Sequence, residues 1–386
     1  MSAPPRGFAQ TEYSARLGRA QSLMAGAGLE ALFLTTEADL RYFTGYLTRF
    51  WESPTRPWFL VVPASGKPIA VIPSIGAALM SQTWIDDIRT WAAPDLADDG
   101  VSLLAETLRE VTGPDARIGL ASGLESHLRM PLADYARLTG MIGARSLVPD
   151  AGIVAGLRQI KSPAEIAKIG HTCQIAGRAF ARLDEIAAPG EPLSTVFRRF
   201  QMLCLQEGAD WVPYLAGSAG PGGYADVISP ASDAPLAEED VLMLDTGLVW
   251  DGYFCDFDRN VAITVASAEN RAAHARLIDA TRAGFEAARP GARACDVFAA
   301  MRRVLPDGPK GTDAGRLGHG LGMQLTEGLS LIAADQTELR PGMVITLEPG
   351  IATPGGIMVH EEDILITANA PQYLSPPAPR EIRVIG

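Results

Sequence analysis

The segment 241–263 constrains the fold of this chain more than any other. Its two halves, VLMLDTGLVW and YFCDFDRNVAI, are rich in β-branched and aromatic residues and are joined by Asp251-Gly252. An Asp-Gly pair between two such runs is the strongest short signal for a β-hairpin with a two-residue turn. We therefore predict a hairpin in which Trp250 faces Tyr253, so that the numbers of paired residues sum to 503 (250 + 253).

This register places three aspartates on one face of the hairpin. Asp245 lies opposite Asp258, and Asp256 lies opposite Gly247. Because Asp245 and Asp256 are then diagonal neighbours with Cβ atoms roughly 7 Å apart, they could grip a pair of metal ions about 3.5 to 4 Å apart. The alternative is that they are polar residues on the solvent side of the hairpin. However, carboxylates packed together in a mostly apolar hairpin repel one another, and a bound cation removes that repulsion.

Two further polar residues lie in similar surroundings. In RLGHGLGMQLTEG (316–328), His319 lies among glycines, which allow the backbone to approach a ligand closely. In PGMVITLEPG (341–350), an apolar strand ends on Glu348 and is stopped by Pro349-Gly350. A carboxylate that closes a buried strand is unusual, so both residues are candidate ligands.

A fifth candidate lies in a run of polar residues near the C-terminus. In IMVHEEDILIT (357–367), HEED interrupts an otherwise apolar strand. Period-two alternation puts His360 with Glu362 on one face and Glu361 with Asp363 on the other. One of these faces needs a partner, and we take Glu362 as the candidate ligand.

Together these residues have the composition of a two-metal hydrolase site. Four carboxylates balance the charge of two divalent cations, and a neutral imidazole completes the coordination shell. The candidate metal ligands are Asp245, Asp256, His319, Glu348 and Glu362.

The order and spacing of these motifs resemble the pita-bread metallohydrolases, the family of aminopeptidase P, prolidase, methionine aminopeptidase and creatinase. The motifs are LDTG, GYFCDFDRN, GHGLG, PGMVITLEPG and HEED, and the first two ligands are 256 − 245 = 11 residues apart. KSPAEIAKI (161–169) resembles the segment that opens the catalytic domain, so the resemblance covers about residues 155–386. ALFLTTEADLRYFTGY (31–46) is similar to the smaller domain of the creatinase and prolidase branch.

The resemblance implies an α/β (α+β) protein of two domains. Residues 1–153 would form a mixed α/β creatinase-like domain, and residues 154–386 a pita-bread domain with a curved antiparallel sheet flanked by helices. Periodicity in the first part agrees, because helical and strand patterns alternate there. The predicted helices are 11–27, 101–111 and 131–142, and the predicted strands are 30–35, 116–121 and a hairpin over 58–73.

The resemblance also implies roles for the ligands. Asp245 would chelate one metal, Asp256 and Glu362 would bridge both, and His319 with Glu348 would complete the second site and serve catalysis. A hydroxide held between the ions would be the nucleophile, since metal binding lowers the pKa of water to about 7. Glu348 would transfer its proton to the leaving nitrogen. Oxygen-rich ligation favours two manganese ions, with cobalt, iron or zinc as alternatives.

The chain departs from the family around the substrate. Thr326 stands where relatives carry a second His, and residues 212–244 contain no His although relatives have one there. Tyr224 or Thr326 could replace these imidazoles as a donor to the substrate carbonyl. His360 and Asp258 stand where relatives have Arg and Thr, so they complete our set of candidate substrate-binding residues. Asp258 could instead be an extra metal ligand or a partner for Arg259. The Gly-rich segment 217–223 is interpreted as a loop on the substrate side.

Three functions are consistent with these motifs. The first is a metal-dependent peptidase of the Xaa-Pro dipeptidase or aminopeptidase P type that acts on small peptides. The second is a creatinase-like or ectoine-hydrolase-like enzyme, or a sulfoniopropionate lyase, acting on a small non-peptide compound, and the missing imidazoles favour it. The third is a catalytically silent binding protein, which the complete ligand set disfavours.

Composition limits the partners and the compartment. A net charge of −12 and a pI near 5.0 argue against nucleic acid and anionic membranes as partners. Four cysteines without CxxC spacing indicate reduced thiols. The N-terminus lacks an apolar signal sequence and no apolar run is long enough to span a bilayer, so we expect a cytoplasmic protein. The resemblance implies a homodimer.

Overall fold

The computed structural model of the chain describes residues 2–51, 56–306 and 315–386. The chain divides into two compact units, Pro5–Arg158 and Gln159–Gly386, and the second unit also includes residues 2–4. The sequence places the domain boundary between residues 153 and 154, which is at the start of a helix that runs from Ile153 to Gln159. Within the described ranges, no helix is both long enough and apolar enough to cross a membrane.

The N-terminal unit is built on a six-stranded mixed sheet with strand order β4-β3-β2-β1-β5-β6. Strands β1, β2 and β3 pair antiparallel, and the outer strands on both sides add in parallel. The strands are β1 Ala31–Leu34, β2 Phe59–Pro63, β3 Ile69–Pro73, β4 Asp87–Trp91, β5 Arg117–Leu120 and β6 Ser146–Pro149. The helices are α1 Gln10–Ala27, α2 Glu37–Thr44, α3 Ala77–Met80, α4 Val101–Val111, α5 Leu132–Met141 and α6 Ile153–Gln159.

Periodicity predicted this unit well. The predicted helix over 101–111 is found at those residues, and the predicted hairpin over 58–73 is the β2–β3 pair. The core forms where the sheet meets the helices, since Phe33 and Phe59 of the sheet pack in one buried cluster with Leu104 and Leu108 of α4. Burial of such large apolar side chains is the main force that stabilises a layered unit of this kind.

The C-terminal unit carries the predicted hairpin in its largest sheet, which has the strand order β16-β10-β8-β7 with β9 paired to β8. Two smaller sheets, β11-β14-β15 and β12-β13, complete the strands. The strands are β7 Trp211–Pro221, β8 Asp240–Trp250, β9 Tyr253–Phe254, β10 Phe257–Ile263, β11 Val344–Leu347, β12 Gly350–Thr353, β13 Gly356–Val359, β14 Glu362–Leu365, β15 Gln372–Tyr373 and β16 Arg383–Ile385. The helices are α7 Pro163–Ala181, α8 Leu193–Gln206, α9 Ala268–Ala287 and α10 Ala294–Val304.

The hairpin has the register that the sequence predicts. Trp250 pairs with Tyr253 and Asp258 pairs with Asp245. The turn residues Asp251 and Gly252 have φ angles of 48° and 77°. Positive φ at both central positions is the requirement of a type I′ turn, whose twist matches that of the strands.

The Gly-rich segment 217–223 is not the loop that we predicted from the sequence. Residues 217–221 lie in β7 and pair with β8. A β-carbon on Gly217 would come within 2.4 Å of the Met243 carbonyl oxygen, so the small residues allow two strands to approach closely. Only the end of the segment turns, with positive φ at Gly222 and Gly223.

The four cysteines, Cys173, Cys204, Cys255 and Cys295, are free. The first three are buried, and burial raises the pKa of each of these thiols. A neutral buried thiol packs as a small apolar group. These cysteines are therefore packing residues rather than nucleophiles.

Candidate active site

A cleft of about 460 Å³ in the C-terminal unit gathers acidic side chains around one imidazole. The polar residues that line it are Tyr214, Asp245, Asp256, Asp258, Arg316, His319, Thr326, Glu348 and Glu361. The lining also contains apolar side chains, which we call the apolar wall: Val227, Ile228, Leu317, Leu325, Ile357 and Val359.

Strand ends and a tight loop bring these side chains together. Asp245 lies within β8, and Asp256 lies in the break between β9 and β10. Glu348 directly follows β11, and Glu361 directly precedes β14. His319 lies on a loop whose backbone bridges to Ser330. Residues that are separated by more than a hundred positions in the chain therefore converge on one cleft.

The glycines beside His319 have a different role from the one expected. A β-carbon on Gly318 would lie 2.2 Å from the Thr346 carbonyl oxygen, and one on Gly320 would lie 2.2 Å from the Glu327 carbonyl oxygen. They allow neighbouring backbone, rather than a ligand, to approach closely. The His319 N–H donates to Thr346 Oγ1 at 3.1 Å, which fixes the loop against β11.

The imidazole of His319 presents its Nε2 atom to the acidic groups of the cleft. Its Nδ1 lies 3.0 Å from the carbonyl oxygen of Gly320, which can only accept, so Nδ1 carries a proton. Nε2 faces the acidic groups, 3.3 Å from Asp256 Oδ2 and 2.9 Å from Glu348 Oε1. Ligand atoms of Asp256, His319 and Glu361 all lie within 4.8 Å of one another.

Crowding of the carboxylates perturbs their acidity. Burial raises the pKa of Asp245 and of Glu361 well above the ordinary range, and repulsion by Asp256 adds to both shifts. Burial raises the pKa of Asp256 to about 6, against the opposing influence of His319. Glu348 differs, because the charge of His319 overcomes its burial and lowers its pKa to about 2. Without a cation, the cluster holds protons near neutral pH.

The donor set fits divalent cations. Asp245 Oδ1, Asp256 Oδ1 and Glu361 Oε1 are buried and have no hydrogen-bond partner within the described ranges. Buried charges need a counter-charge, and unpaired carboxylate oxygens around one imidazole are ligands that manganese and zinc accept. The sequence analysis predicts the same combination of carboxylate oxygens and one imidazole for this site.

Glu361 lines the cleft at the place where we expected its neighbour Glu362 as a ligand. Glu362 lies on the opposite side of β14. Its carboxylate accepts hydrogen bonds from the Ala378 N–H at 2.7 Å and from Ser375 Oγ, and it pairs with Arg259 Nη2 at 3.0 Å. Arg259 lowers the pKa of Glu362 to about 2 despite burial. Glu362 is therefore fully partnered away from the cleft.

Two hydrogen bonds join the segment that carries Asp256 to the segment that carries Glu361. The Glu361 N–H donates to Asp258 Oδ1 at 2.8 Å, and the Asp256 N–H donates to Asp363 Oδ2 at 3.0 Å. Asp258 lies two positions after Asp256 and accepts from the backbone of Glu361. Likewise, Asp363 lies two positions after Glu361 and accepts from the backbone of Asp256. This reciprocal arrangement fixes the spacing of the two groups, as outer-shell partners do in metal sites.

The candidate substrate residues divide into two groups. Thr326 and Asp258 line the cleft. Tyr224 does not, because its buried hydroxyl donates to Asn260 Oδ1 at 3.2 Å and accepts from the Val359 N–H at 2.7 Å.

His360 is also buried away from the cleft. It lies at ion-pair distance from Asp258 and Glu362, 3.3 and 3.2 Å, without hydrogen-bond geometry. Tyr224 and His360 are thus removed from the set of residues that can touch a substrate in the cleft.

Two residues that the sequence analysis missed line the cleft. Tyr214 Oη donates to Asp245 Oδ2 at 3.2 Å, and Arg316 Nη2 donates to Thr326 Oγ1 at 3.0 Å. Both residues lie close to the predicted motifs, since Tyr214 pairs with Gly247 of the hairpin and Arg316 precedes His319 by three residues. A β-carbon on Gly247 would lie 2.2 Å from Leu325 Cδ1, so this glycine allows Leu325 to pack against the hairpin.

Family models match both parts of the chain. The model for metallopeptidase family M24 matches residues 167–368, and the model for the creatinase/prolidase N-terminal domain matches residues 16–160. The chain is 29% identical over 393 residues to a probable dipeptidase PepE of Mycobacterium tuberculosis, covering 98% of each chain. It is 28% identical to an Xaa-Pro dipeptidase of Pyrococcus horikoshii over 66% of this chain and 72% of that one.

Solved structures show the same architecture. The crystal structure of dipeptidase PepE from Mycobacterium ulcerans aligns with a TM-score of 0.84 and 28% identity, covering 98% of this chain and 99% of that one. A recombinant prolidase from Thermococcus sibiricus aligns with a TM-score of 0.85 over 98% of this chain and 100% of that one, and at 21% identity it supports the fold alone. The family and the two-domain α/β fold expected from the sequence are confirmed. The chain belongs to metallopeptidase family M24 and is a hydrolase of the pita-bread fold with a creatinase-like N-terminal domain.

Proposed function

We propose that the chain is a two-metal peptidase that cleaves Xaa-Pro dipeptides. Its metal ligands in this proposal are Asp245, Asp256, His319, Glu348 and Glu361. The observation that carries the proposal is the set of buried, unpartnered carboxylate oxygens beside His319 Nε2 in a cleft of about 460 Å³. Relatives named as dipeptidases support a peptide as the substrate.

The composition of the site favours manganese as the metal. Four carboxylates and one imidazole give an oxygen-rich shell, which suits manganese, and four negative charges balance two divalent cations. When bound, such a pair of cations supplies a nucleophile at neutral pH by lowering the pKa of water to about 7.

In this proposal Glu348 is the group that moves a proton. Thr346 Oγ1 donates to Glu348 Oε1 at 2.5 Å and itself accepts from the His319 N–H at 3.1 Å. One hydroxyl therefore fixes both the carboxylate and the imidazole loop. In our proposal Glu348 takes a proton from the attacking water and delivers it to the leaving nitrogen of proline, acting as base and then as acid.

In this proposal Thr326 holds the substrate carbonyl. Its Oγ1 accepts a hydrogen bond from the charged Arg316, which leaves its own O–H free to donate. A hydroxyl that accepts from a cation is a stronger donor. The apolar wall that includes Val227, Ile228 and Leu325 offers a surface for the proline ring.

Hydrolysis of alanyl-proline by the manganese-loaded protein tests the proposal. We expect turnover that chelation abolishes and that manganese restores. The variant Glu361→Gln should lose at least about a hundredfold in kcat/KM, because it removes a ligand rather than an outer-shell partner. The control Glu338→Gln changes an exposed glutamate outside the cleft and should match the wild type. Absence of turnover by a metal-loaded preparation would refute the proposal.

A small non-peptide compound is the second candidate substrate. In the described lining of the cleft, His319 is the one imidazole, so the second imidazole donor expected of a peptidase is absent there. This observation favours an altered substrate. Screening osmolytes and cyclic amides for metal-dependent turnover tests it, and activity confined to peptides would reject it.

A further inference from the structure

A second cavity lies in the C-terminal unit, and the β12–β13 hairpin separates it from the catalytic cleft. Gly350 and Val359 of the hairpin line the cleft, whereas Ile351 and Thr353 line the second cavity. Successive residues of a strand point to opposite faces, so the hairpin is a wall that both cavities share. We call the second one the outer cavity, and its polar lining residues are Glu239, Ser267, Glu269, Asn270, Arg276 and Thr353.

The outer cavity is large enough for a small organic molecule. Its volume of about 440 Å³ is close to the 460 Å³ of the catalytic cleft. Small-molecule sites occupy about 300 to 1,000 Å³. The described residues that line the outer cavity do not line the cleft, so a ligand there would not occupy the catalytic site.

A buried amide without a partner lies in the wall of this cavity. Asn270 is 1% exposed, and its Nδ2 has no hydrogen-bond partner within the described ranges. Its backbone N–H donates to Ser267 Oγ at 3.1 Å, which fixes the residue in the first turn of α9. A buried amide that lacks a partner is unfavourable. A ligand that enters the outer cavity would supply the missing hydrogen bond.

Positive charge gathers at the same part of the cavity. The N–H groups in the first turn of α9 have no partner within the helix and give its N-terminus a partial positive charge. Arg276 lies two turns further along α9, and long helical side chains point back towards the N-terminus. Its guanidinium has no ion-pair partner in the described part of the chain. These groups favour a carboxylate on the ligand.

Two acidic side chains lie at the exposed edge of the cavity. Glu239 and Glu269 line it, and neither carboxylate has an ion-pair partner among the described residues. They would repel a plain anion and attract an ammonium group. The complement of the outer cavity is therefore a molecule that carries both charges. In a free amino acid the two charges are attached to one carbon, and the lining alanines and Ile351 leave room for a small apolar side chain.

The shared hairpin joins two of the proposed metal ligands. It begins two residues after Glu348 and ends two residues before Glu361. On the side of the outer cavity, Thr353 Oγ1 donates to the Gly222 carbonyl oxygen. A ligand that contacts this part of the hairpin therefore bears on a segment that holds a proposed metal ligand at each end.

We propose that the outer cavity binds a free amino acid, with its carboxylate at Asn270 and Arg276 and its ammonium at Glu239, and that this ligand acts on the metal site through the β12–β13 hairpin. The binding does not depend on the proposed peptidase function. The effect on the metal site rests on the metal ligands of that proposal. Because amino acids are the products of peptide hydrolysis, the site would respond to the accumulation of product.

Calorimetry of the manganese-loaded protein with L-alanine and L-proline tests the binding. We expect saturable binding of alanine, and of proline if the cavity accepts its ring. Alaninamide and propionate each lack one of the two charges and should bind at least about tenfold more weakly than alanine, as the loss of a charged hydrogen bond predicts. Absence of binding by both amino acids, or equal affinities for alanine and propionate, would overturn the inference.

Three variants place the binding in the outer cavity. Asn270→Leu, Arg276→Gln and Glu239→Gln should each weaken alanine binding by about tenfold or more. The control Arg198→Gln changes an exposed helical arginine outside the cavity and should keep the wild-type affinity. Unchanged affinity in Asn270→Leu and Arg276→Gln would show that alanine binds elsewhere and overturn the inference.

The stability of Asn270→Leu separates a binding role from a structural one. Leucine has a similar volume and removes an amide that has no partner, so the melting temperature should not fall. If Asn270→Leu does not fold, the exposed Arg276→Gln decides the inference by its affinity for alanine.

The dissociation constant of manganese, measured by equilibrium dialysis, tests the coupling. Saturating alanine should change it by about fivefold or more in the wild type and in Arg198→Gln, and should leave it unchanged in Asn270→Leu. An unchanged constant in the wild type would overturn the action through the hairpin. If alanine binds as expected but alanyl-proline is not hydrolysed, the proposed function fails and the outer site stands.

Discussion

Adjacent glutamates in this chain have opposite environments. Glu361 faces the cleft, where burial and repulsion by Asp256 raise its pKa, whereas Glu362 is paired with Arg259 on the other side. The sequence shows two acidic residues in succession, and period-two alternation separates their faces. The sequence does not determine which of these two faces points into the cleft, because both faces have polar partners in the folded chain.

Neutralising each glutamate should therefore have opposite effects on stability at pH 7. In metal-free protein, Glu361→Gln removes a group whose charged form is disfavoured, so the free energy of unfolding should be unchanged or higher. Glu362→Gln breaks a buried ion pair and should lower it by about 3 kcal/mol. Urea unfolding of both variants measures these changes in the free energy of unfolding. A larger loss in Glu361→Gln than in Glu362→Gln would contradict the assignment.

His274 should make stability depend on pH. Its Nε2 lies 3.1 Å from the Pro379 carbonyl oxygen, so Nε2 carries the proton, and Nδ1 is buried without a partner in the described structure. Burial lowers the pKa of His274 to about 4, and repulsion by His360 adds to this shift. Below pH 6.5 this histidine binds a proton in the unfolded chain, whereas in the folded chain it stays neutral until the pH approaches 4. Stability is therefore lost as the pH falls from about 6.5 towards 4.

The variant His274→Gln tests this prediction, because its side-chain amide can still donate to Pro379. Between pH 7.5 and pH 5, the wild type should lose about 2 kcal/mol more stability than the variant, as one unfolded-state histidine predicts. Urea unfolding at the two pH values gives the comparison. Equal losses in the two proteins would show that His274 takes up its proton freely in the folded state.

At the scale of elements, the β8–β10 hairpin is the part that local rules determine. Asp251-Gly252 fixes the turn type, the turn fixes the register, and the register places Asp245 and Asp258 opposite each other. Each step is short-range, so the sequence was sufficient to predict it.

Substitution of Gly252 by Ala should destabilise the hairpin. The φ angle of Gly252 is 77°, a left-handed conformation that costs a residue with a β-carbon about 1 kcal/mol. The matched control is Gly170→Ala in α7, where the nearest side-chain atom is 3.8 Å away and alanine favours the helix. We expect a loss of about 1 kcal/mol for the first and no loss for the second, measured by urea unfolding. Similar effects for both would contradict the turn assignment.

Other parts of the structure could not be predicted from local sequence patterns, because they depend on contacts between distant segments. The Gly-rich segment 217–221 is a strand because it pairs with β8, although its composition is typical of a loop. Tyr224 and His360 carry functional groups in suggestive motifs, yet both are buried and partnered away from the cleft. Local patterns predicted which residues are polar and close in sequence, whereas the cleft is defined by contacts between distant segments.

At the scale of the whole molecule, the site joins residues from 245 to 361, and no single element holds it. The predicted ligand set therefore depends on the resemblance to a known family more than on any local pattern. The structure has Glu361 rather than the predicted Glu362 in the lining of the cleft, and two adjacent acids allow two alignments. The carboxylates repel one another without a counter-charge, so the folded chain and the cations should stabilise each other.

Metal binding should therefore raise the melting temperature of the protein. At a free manganese concentration of 100 times Kd, the native state gains about 2.7 kcal/mol per site. Differential scanning fluorimetry should show an upward shift with manganese that Glu361→Gln reduces strongly and Glu338→Gln leaves intact. An equal shift in all three proteins would indicate that manganese binds elsewhere.

Anomalous diffraction from crystals grown with manganese tests the central claim most directly. The account predicts two anomalous peaks in the cleft, within coordination distance of Asp245, Asp256, His319, Glu348 and Glu361, with Glu362 still paired to Arg259. Manganese-loaded crystals with no peak in the cleft, or with a peak coordinated by Glu362 instead of Glu361, would contradict it.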